Sequence, residues 1–295
     1  MKKLIIVTII IMLASCATVR RTTAPVEDRT APSATNLPLP DSMDDQDHLI
    51  LATLWFQKSA EMRALFYQCF RNAEIALKEN LELSGLNFPK ADTHDPDEII
   101  QEDNQKPAAV VIDIDETLLD NSPYQGWQVL HKKAFNNDDW FRWVELARAR
   151  PLPGAVEFTR YADSLGVEVF YVSNRMVKEL EPTIKNMAEW GFADADSTHM
   201  LLKETTSSKA ERRALIEKDY EILLLVGDNL ADLSSIYEKR GPDYGFADVD
   251  ADHRLFGTKY IVLPNPMYGE WLNDLLRAAP GITEQEKLIK LLETF

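Results

Sequence analysis

Two acid pairs, each at the end of an apolar run, are the residues of this chain best suited to chemistry. Ala108-Ala109-Val110-Val111-Ile112 breaks into Asp113-Ile114-Asp115-Glu116-Thr117. Glu221-Ile222-Leu223-Leu224-Leu225-Val226 breaks into Gly227-Asp228-Asn229-Leu230-Ala231-Asp232. Short unbroken apolar runs read as strands buried on both faces. Open parallel sheets bind ligands at the carboxyl ends of their strands. A carboxylate buried there is costly unless it is paired or bound to a metal. Asp-x-Asp alone reads equally as a strand entering a polar turn. A second acid pair after a second strand, far away in sequence, makes coincidence a poor account. If the two strands are neighbours, four carboxylates converge and repel one another unless a cation sits among them. Hard oxygen ligands favour Mg²⁺, with water completing the octahedron. Such a site suits an electron-poor centre such as phosphorus. Gly227 permits a tight turn or a close backbone approach.

The elements that must hold these residues alternate in type. Strands are expected over 108–113, 167–173, 221–226 and 259–263. Helices are expected over 155–165, 179–190 and 208–218, with Gly166 and Gly191 closing the first two. Alternation of this kind predicts a three-layer α/β core on a parallel sheet. From Asp47 to about Leu83, residues such as Leu49, Leu51, Leu54, Trp55, Leu65 and Phe66 recur at near-helical spacing. Residues 84–106 read as a connection. Residues 121–150 are aromatic and polar and lie between the two acid pairs.

Composition excludes other classes. The formal charge of −16 argues against nonspecific nucleic-acid binding, which needs a basic surface. The five histidines lack metal-ligand spacing. Neither Arg-His-Gly nor a Gly-x-Ser-x-Gly elbow occurs. Lys2-Lys3 precede an apolar run from Leu4 to Leu13, a signal-peptide pattern too short to span a bilayer. Residues 1–15 are thus expected to be a signal peptide. Residues 16–46, rich in Thr, Pro, Ser and Asp, read as a flexible tether. Cys69 lies among apolar residues and reads as an inert buried thiol.

The flanks sharpen the picture. Leu54-Trp55-Phe56-Gln57-Lys58-Ser59-Ala60-Glu61, Leu119-Asp120-Asn121-Ser122-Pro123-Tyr124, Val172-Ser173-Asn174-Arg175 and Pro264-Asn265-Pro266-Met267-Tyr268-Gly269 accompany the four aspartates. Over residues 48 to about 275, the chain resembles the haloacid-dehalogenase superfamily. More narrowly it resembles the DDDD phosphatases, the class C acid phosphatases of the bacterial outer-membrane lipoprotein e family.

The resemblance implies a haloacid-dehalogenase-like core over 47–295, with a smaller helical cap inserted at about 121–150. It implies an acid phosphomonoesterase acting through an aspartyl-phosphate, on 5′-nucleotides and other small phosphate esters. Asp113 would be the nucleophile, and Asp115 the acid and then the base. Mg²⁺ would be held by the carboxylates of Asp113 and Asp228 and the backbone carbonyl of Asp115, with Asp232 orienting Asp228 or a water. Ser173, Asn174 and Lys209 would meet the phosphate; Lys203 is the rival to Lys209, and Arg175 is a weaker candidate. Trp140 and Tyr268 would sandwich a nucleoside monophosphate base, with core packing the competing role for Trp140. Leu13-Ala14-Ser15-Cys16 resembles a lipobox, which implies lipidation at Cys16 and a membrane anchor. Ala17, not Asp, follows it, and by resemblance to Gram-negative lipoproteins this favours the outer membrane. Asp115 argues against dehalogenation, which has no alkoxide to protonate. The alternative from another class is a non-catalytic ligand- or haem-binding surface lipoprotein on the same fold.

Overall fold

The helical pattern at the amino end forms two helices, not one. α1 (His48–Lys58) stops at Ser59, whose hydroxyl accepts the Met62 N–H at 3.0 Å and so caps α2 (Ala60–Ser84). A capping serine satisfies an amide that no helical carbonyl can reach. Gly85 closes α2 with a left-handed φ of 69°. The computed structural model describes residues 48–85, 106–277, 288, 289, 291 and 292. The expected signal peptide, Cys16, the tether and most of the 84–106 connection lie outside the described residues.

The chain continues through β1 (Ala108–Ile112), β2 (Leu119–Asp120), α3 (Ser122–His131), α4 (Asn137–Glu145) and β3 (Arg150–Pro151). α5 (Ala155–Ser164), β4 (Glu168–Met176), α6 (Leu180–Trp190), β5 (Met200–Lys203), α7 (Ala210–Asp219) and β6 (Glu221–Gly227) follow. α8 (Leu230–Leu233), α9 (Phe246–Ala251), β7 (Tyr260–Val262) and α10 (Glu270–Arg277) come next, with short 3₁₀ turns at Val177–Glu179 and Ser235–Glu238. The sheet is parallel throughout, in the order β5-β4-β1-β6-β7. β1 and β6 are hydrogen-bonded neighbours, so both acid pairs emerge side by side.

β1 is central, and all five of its residues are buried. Alternate residues face opposite layers. Val110 and Ile112 pack with Phe66, Phe70 and Leu77 of α2 and Phe158 of α5. Ala109 and Val111 pack with Phe170, Leu225 and Ile216 of α7. A strand covered on both faces has no solvent side, which is why its run carries no polar residue. The chain therefore folds as a three-layer α/β protein. β2 and β3 pair antiparallel, and between them the 121–150 segment folds as α3 and α4.

Several elements go beyond the sequence expectations. β5 is a four-residue edge strand, and β2 and β3 have two residues each. Such pieces are too short for periodicity to mark. Among the described residues, no helix is long and apolar enough to cross a membrane.

Phe66 is fully buried and meets the ring of Phe56 edge-on at 5.7 Å. Phe66→Ala is expected to cost about 3–5 kcal/mol, because truncation leaves a cavity as well as losing buried area. Equilibrium denaturation checks this; a loss below about 1 kcal/mol would remove α2 from the core.

Candidate active site

Asp113 leaves the end of β1 with its N–H donating to the Val226 carbonyl of β6 at 2.9 Å. Asp113 as a whole is 7% exposed. Thr117 ties the two strand ends together. Its hydroxyl donates to Asp113 Oδ2 at 3.1 Å and accepts the Asp228 N–H at 3.0 Å. Lys209, at the start of α7 and 4% exposed, donates from Nζ to Asp113 Oδ1 and to Asp232 Oδ1, the latter at 2.7 Å. Asn265 Nδ2 donates to Asp228 Oδ2 at 2.7 Å. The Asn229 N–H donates to Asp232 Oδ2 at 3.0 Å. At Gly227 a Cβ would lie 2.5 Å from Asp232 Cβ, so the glycine is needed for close approach.

One oxygen from each of Asp113, Asp228 and Asp232 lies within 4.8 Å of the others. At an effective dielectric of about 20, two unit charges 4 Å apart interact by about 4 kcal/mol. One ammonium therefore leaves three carboxylates short by the charge of one divalent ion. Burial pushes Asp113 up to about 7 against the pull of Lys209, with Asp232 and Asp115 adding to the rise. Burial likewise lifts Asp228 well above the usual range, reinforced by Asp113 and Asp232. Burial works against the Lys209 ammonium, but Asp113 and Asp232 outweigh it and hold its pKa above the ordinary value. Crowded hard-oxygen donors with unbalanced charge fit a divalent cation.

Asp115 points elsewhere. Arg175 Nη2 donates to its Oδ1 at 2.8 Å, Arg175 Nε at 3.0 Å and Asn121 Nδ2 at 2.8 Å. Ser173, which the resemblance places at the phosphate, is fully buried and donates to Asp115 Oδ2 at 3.2 Å. Its hydroxyl also accepts the Arg175 N–H, so it is committed to Asp115. Asn174 is exposed, lines the cleft and accepts from Arg212 at 2.7 Å. Lys203 also lines the cleft, but Lys209 is the lysine that reaches Asp113.

The acids open into a cleft of about 600 Å³ whose walls include Trp140 and Tyr268. Gln125 and Gln128 of α3 also line it. The Trp140 ring stands edge-on to Tyr124 at 5.2 Å, and its Nε1 donates to Glu179 at 3.3 Å. Trp140 is half-buried, packed on Tyr124 with one part of its ring facing the cleft.

Sequence reasoning passed over Thr117, Asn121, Glu179 and Asn265 as site residues. Thr117, Asn121 and Asn265 stood inside quoted motifs, and their side chains were the signal. It also missed a distant group at the amino end of β4. His199 lies 2.8 Å from Glu168 and 2.9 Å from Asp196, a meeting that histidine spacing conceals. Cys69 is half-buried, its thiol raised by burial, and its Sγ donates to the Val262 carbonyl.

Comparison with known proteins is specific at this point. A model of the HAD superfamily, subfamily IIIB (acid phosphatase), matches residues 58–271. The chain belongs to this family. The structure of a class C acid phosphatase from Bacillus anthracis is similar, with a TM-score of 0.73 and 33% identity over 86% of this chain and all of that one. The same protein with tungstate bound aligns with a TM-score of 0.74 at 32% identity, over the same shares of the two chains. Acid phosphatase 1 of Solanum lycopersicum is 30% identical over 167 residues, which are 54% of this chain and 57% of that protein. Vegetative storage protein 1 of Arabidopsis thaliana is 26% identical over 54% of each chain. The chain thus spans little more than half the length of the curated relatives it matches. HAD-type phosphatases generally use a divalent metal, and the Asp113–Asp228–Asp232 group of this family member could bind one.

A carboxyl with a raised folded-state pKa binds more protons folded than unfolded between its two pKa values. Asp113 therefore lowers stability as pH rises from about 4 to about 7. A cation that replaces those protons should reverse the effect. Added Mg²⁺ is expected to raise the melting temperature of chelator-stripped protein by several degrees at pH 7 and little at pH 4. Equal shifts at both pH values would exclude a metal among these carboxylates.

Proposed function

We propose that this protein is a metal-dependent acid phosphomonoesterase that works through an aspartyl-phosphate. One observation carries the reading: Asp113 and Asp228, just past the ends of adjacent strands β1 and β6, meet Lys209 at the start of α7 and Asp232 of α8 at the floor of an aromatic cleft. Membership of the acid phosphatase subfamily supports it. So does tungstate in a similar structure, since a tetrahedral oxyanion has the shape of phosphate.

In this reading Asp113 attacks phosphorus as the ester P–O bond breaks. Asp115 gives its proton to the leaving oxygen. Asp115 then takes a proton from water while the water oxygen bonds to phosphorus. The bond from Asp113 breaks, free phosphate departs and the carboxylate is restored. Lys209 keeps Asp113 oriented and offsets its charge against the incoming dianion. Asp113, Asp228 and the Asp115 carbonyl would hold Mg²⁺, with Asp232 beside them. When bound, the ion supplies charge neutralisation for the phosphoryl oxygens.

For the substrate we favour nucleoside monophosphates, with the base between Trp140 and Tyr268. Cys16 lipidation and outer-membrane anchoring complete the proposal and rest on sequence. A purely ligand-capturing protein would have no use for four intact aspartates, two of which have their pKa raised by burial and further by their acidic neighbours.

Asp113→Asn is expected to lower turnover of an aryl phosphate at mildly acid pH by more than about 10³-fold. Retention of a tenth of the wild-type rate would sink the nucleophile. Base stacking contributes about 1–3 kcal/mol. Tyr268→Ala should therefore raise KM for nucleoside monophosphates about 5- to 150-fold and leave an acyclic ester nearly unchanged. Steady-state kinetics on both substrates decide it; an unchanged ratio would leave a general small-ester phosphatase.

A further inference from the structure

Arg175 is a heavily committed side chain beside Asp115, and no step of the proposed mechanism uses it. It is 3% exposed. Nη2 and Nε hold Asp115 Oδ1 at 2.8 and 3.0 Å, and Nε also reaches Oδ2 at 3.3 Å. Nη1 donates to Thr183 Oγ1 at 2.9 Å, and Thr183 in turn donates to the Glu179 carbonyl at 2.6 Å. The guanidinium carbon sits 5.7 Å from the centre of the Trp140 ring. Every guanidinium nitrogen thus has a protein partner, and none is left solely for a substrate phosphate.

The contacts on Asp115 are uneven. Oδ1 accepts three close donors, two from Arg175 and one from Asn121. Oδ2 has only longer ones, Ser173 Oγ at 3.2 Å and Arg175 Nε at 3.3 Å. A carboxyl that must give and take a proton needs one anchored oxygen and one working oxygen. Planar two-point contact fixes the carboxyl plane in a way that a single ammonium cannot. Misplacement by about 1 Å at a reacting group can cost roughly 10²-fold in rate.

We propose that Arg175 is the positioning residue for Asp115. It clamps Oδ1 and so aims Oδ2 at the leaving oxygen, and Trp140 links that aim to the wall of the cleft. The inference rests on Asp115 being the proton donor, so the test must separate the two.

The test uses the whole protein and two esters. An aryl phosphate with an acidic leaving phenol needs little protonation; a simple alkyl phosphate needs it fully. The reading is the alkyl-to-aryl ratio of kcat/KM, with thermal stability measured alongside. Asp115→Asn should lower this ratio by about 10²-fold or more. Arg175→Ala should lower it by about tenfold or more, chiefly through kcat, and millimolar guanidinium should restore part of it. Arg175→Lys keeps the charge but loses the fork, and should not restore the ratio. If Arg175→Ala does not fold, Thr183→Val is read instead. It removes only the Nη1 anchor and should lower the ratio a few-fold; an unchanged ratio there overturns the proposal.

The failures are distinct. No selective loss in Asp115→Asn would overturn the donor assignment, and the inference with it. A selective loss there with equal losses on both esters in Arg175→Ala would make Arg175 structural only. A raised KM for both esters at constant ratio would make it a phosphate ligand. Full recovery in Arg175→Lys would reduce its role to charge.

Discussion

Repulsion among buried carboxylates is the constraint on which this structure turns. Three aspartates and one lysine share a buried space at the ends of β1 and β6, and the lysine answers only part of their charge. Donors from several elements complete the arrangement. Thr117 bridges the two strand ends, Asn265 holds Asp228, and the Asn229 amide holds Asp232. Gly227 omits the Cβ that would collide with Asp232. Each of these choices is weak alone. Together they keep like charges at distances that a relaxed chain would not adopt.

Local strain gathers at the same place. Glu116 is fully buried in the left-handed region at φ 58°, and among the described residues its Oε2 has no hydrogen-bond partner. Burial lifts its pKa well above the carboxylate range, with Asp115, Asp228 and Asp120 adding to the rise. Its Oε1 accepts the Asn121 N–H at 2.7 Å, which folds the loop after β1 back on itself. Such cost persists only where surrounding packing over-determines the conformation. Here that packing is the apolar layer of α2 and α5 against the sheet. Stability in the core and frustration at the strand ends are therefore two sides of one design.

The acids divide into two groups with different neighbours. Asp113, Asp228 and Asp232 face Lys209 and one another. Asp115, two residues along, faces Arg175, Asn121 and Ser173. Equal side chains acquire unequal properties because their environments differ, the usual basis for dividing labour between carboxylates. Trp140 and Trp143 connect the second group to α4, through the Arg175 guanidinium and through Asn121, which accepts the Trp143 N–H at 2.8 Å. The wall of the cleft and the Asp115 side of the site are therefore one packed unit.

The sequence by itself determined four of the five strands of the parallel sheet, the acid ends of β1 and β6, the helical stretches that became α1, α2, α5, α6 and α7, and the three-layer architecture. A strand buried on both faces must be apolar throughout, so polar residues at its end stand out. Periodicity also marked the amino-terminal helical stretch, but not the break at Ser59, because a cap depends on one hydroxyl finding one amide. It missed β5, which is too short to show a period. Only the tertiary structure decided that Lys209 rather than Lys203 reaches Asp113, across 96 positions. It alone turned Ser173 toward Asp115, and it gave Asp115 to Arg175, 60 positions away. Burial patterns are legible because they repeat along the chain. Partner choice among polar side chains is not, because it depends on ångström distances between residues that the sequence keeps far apart.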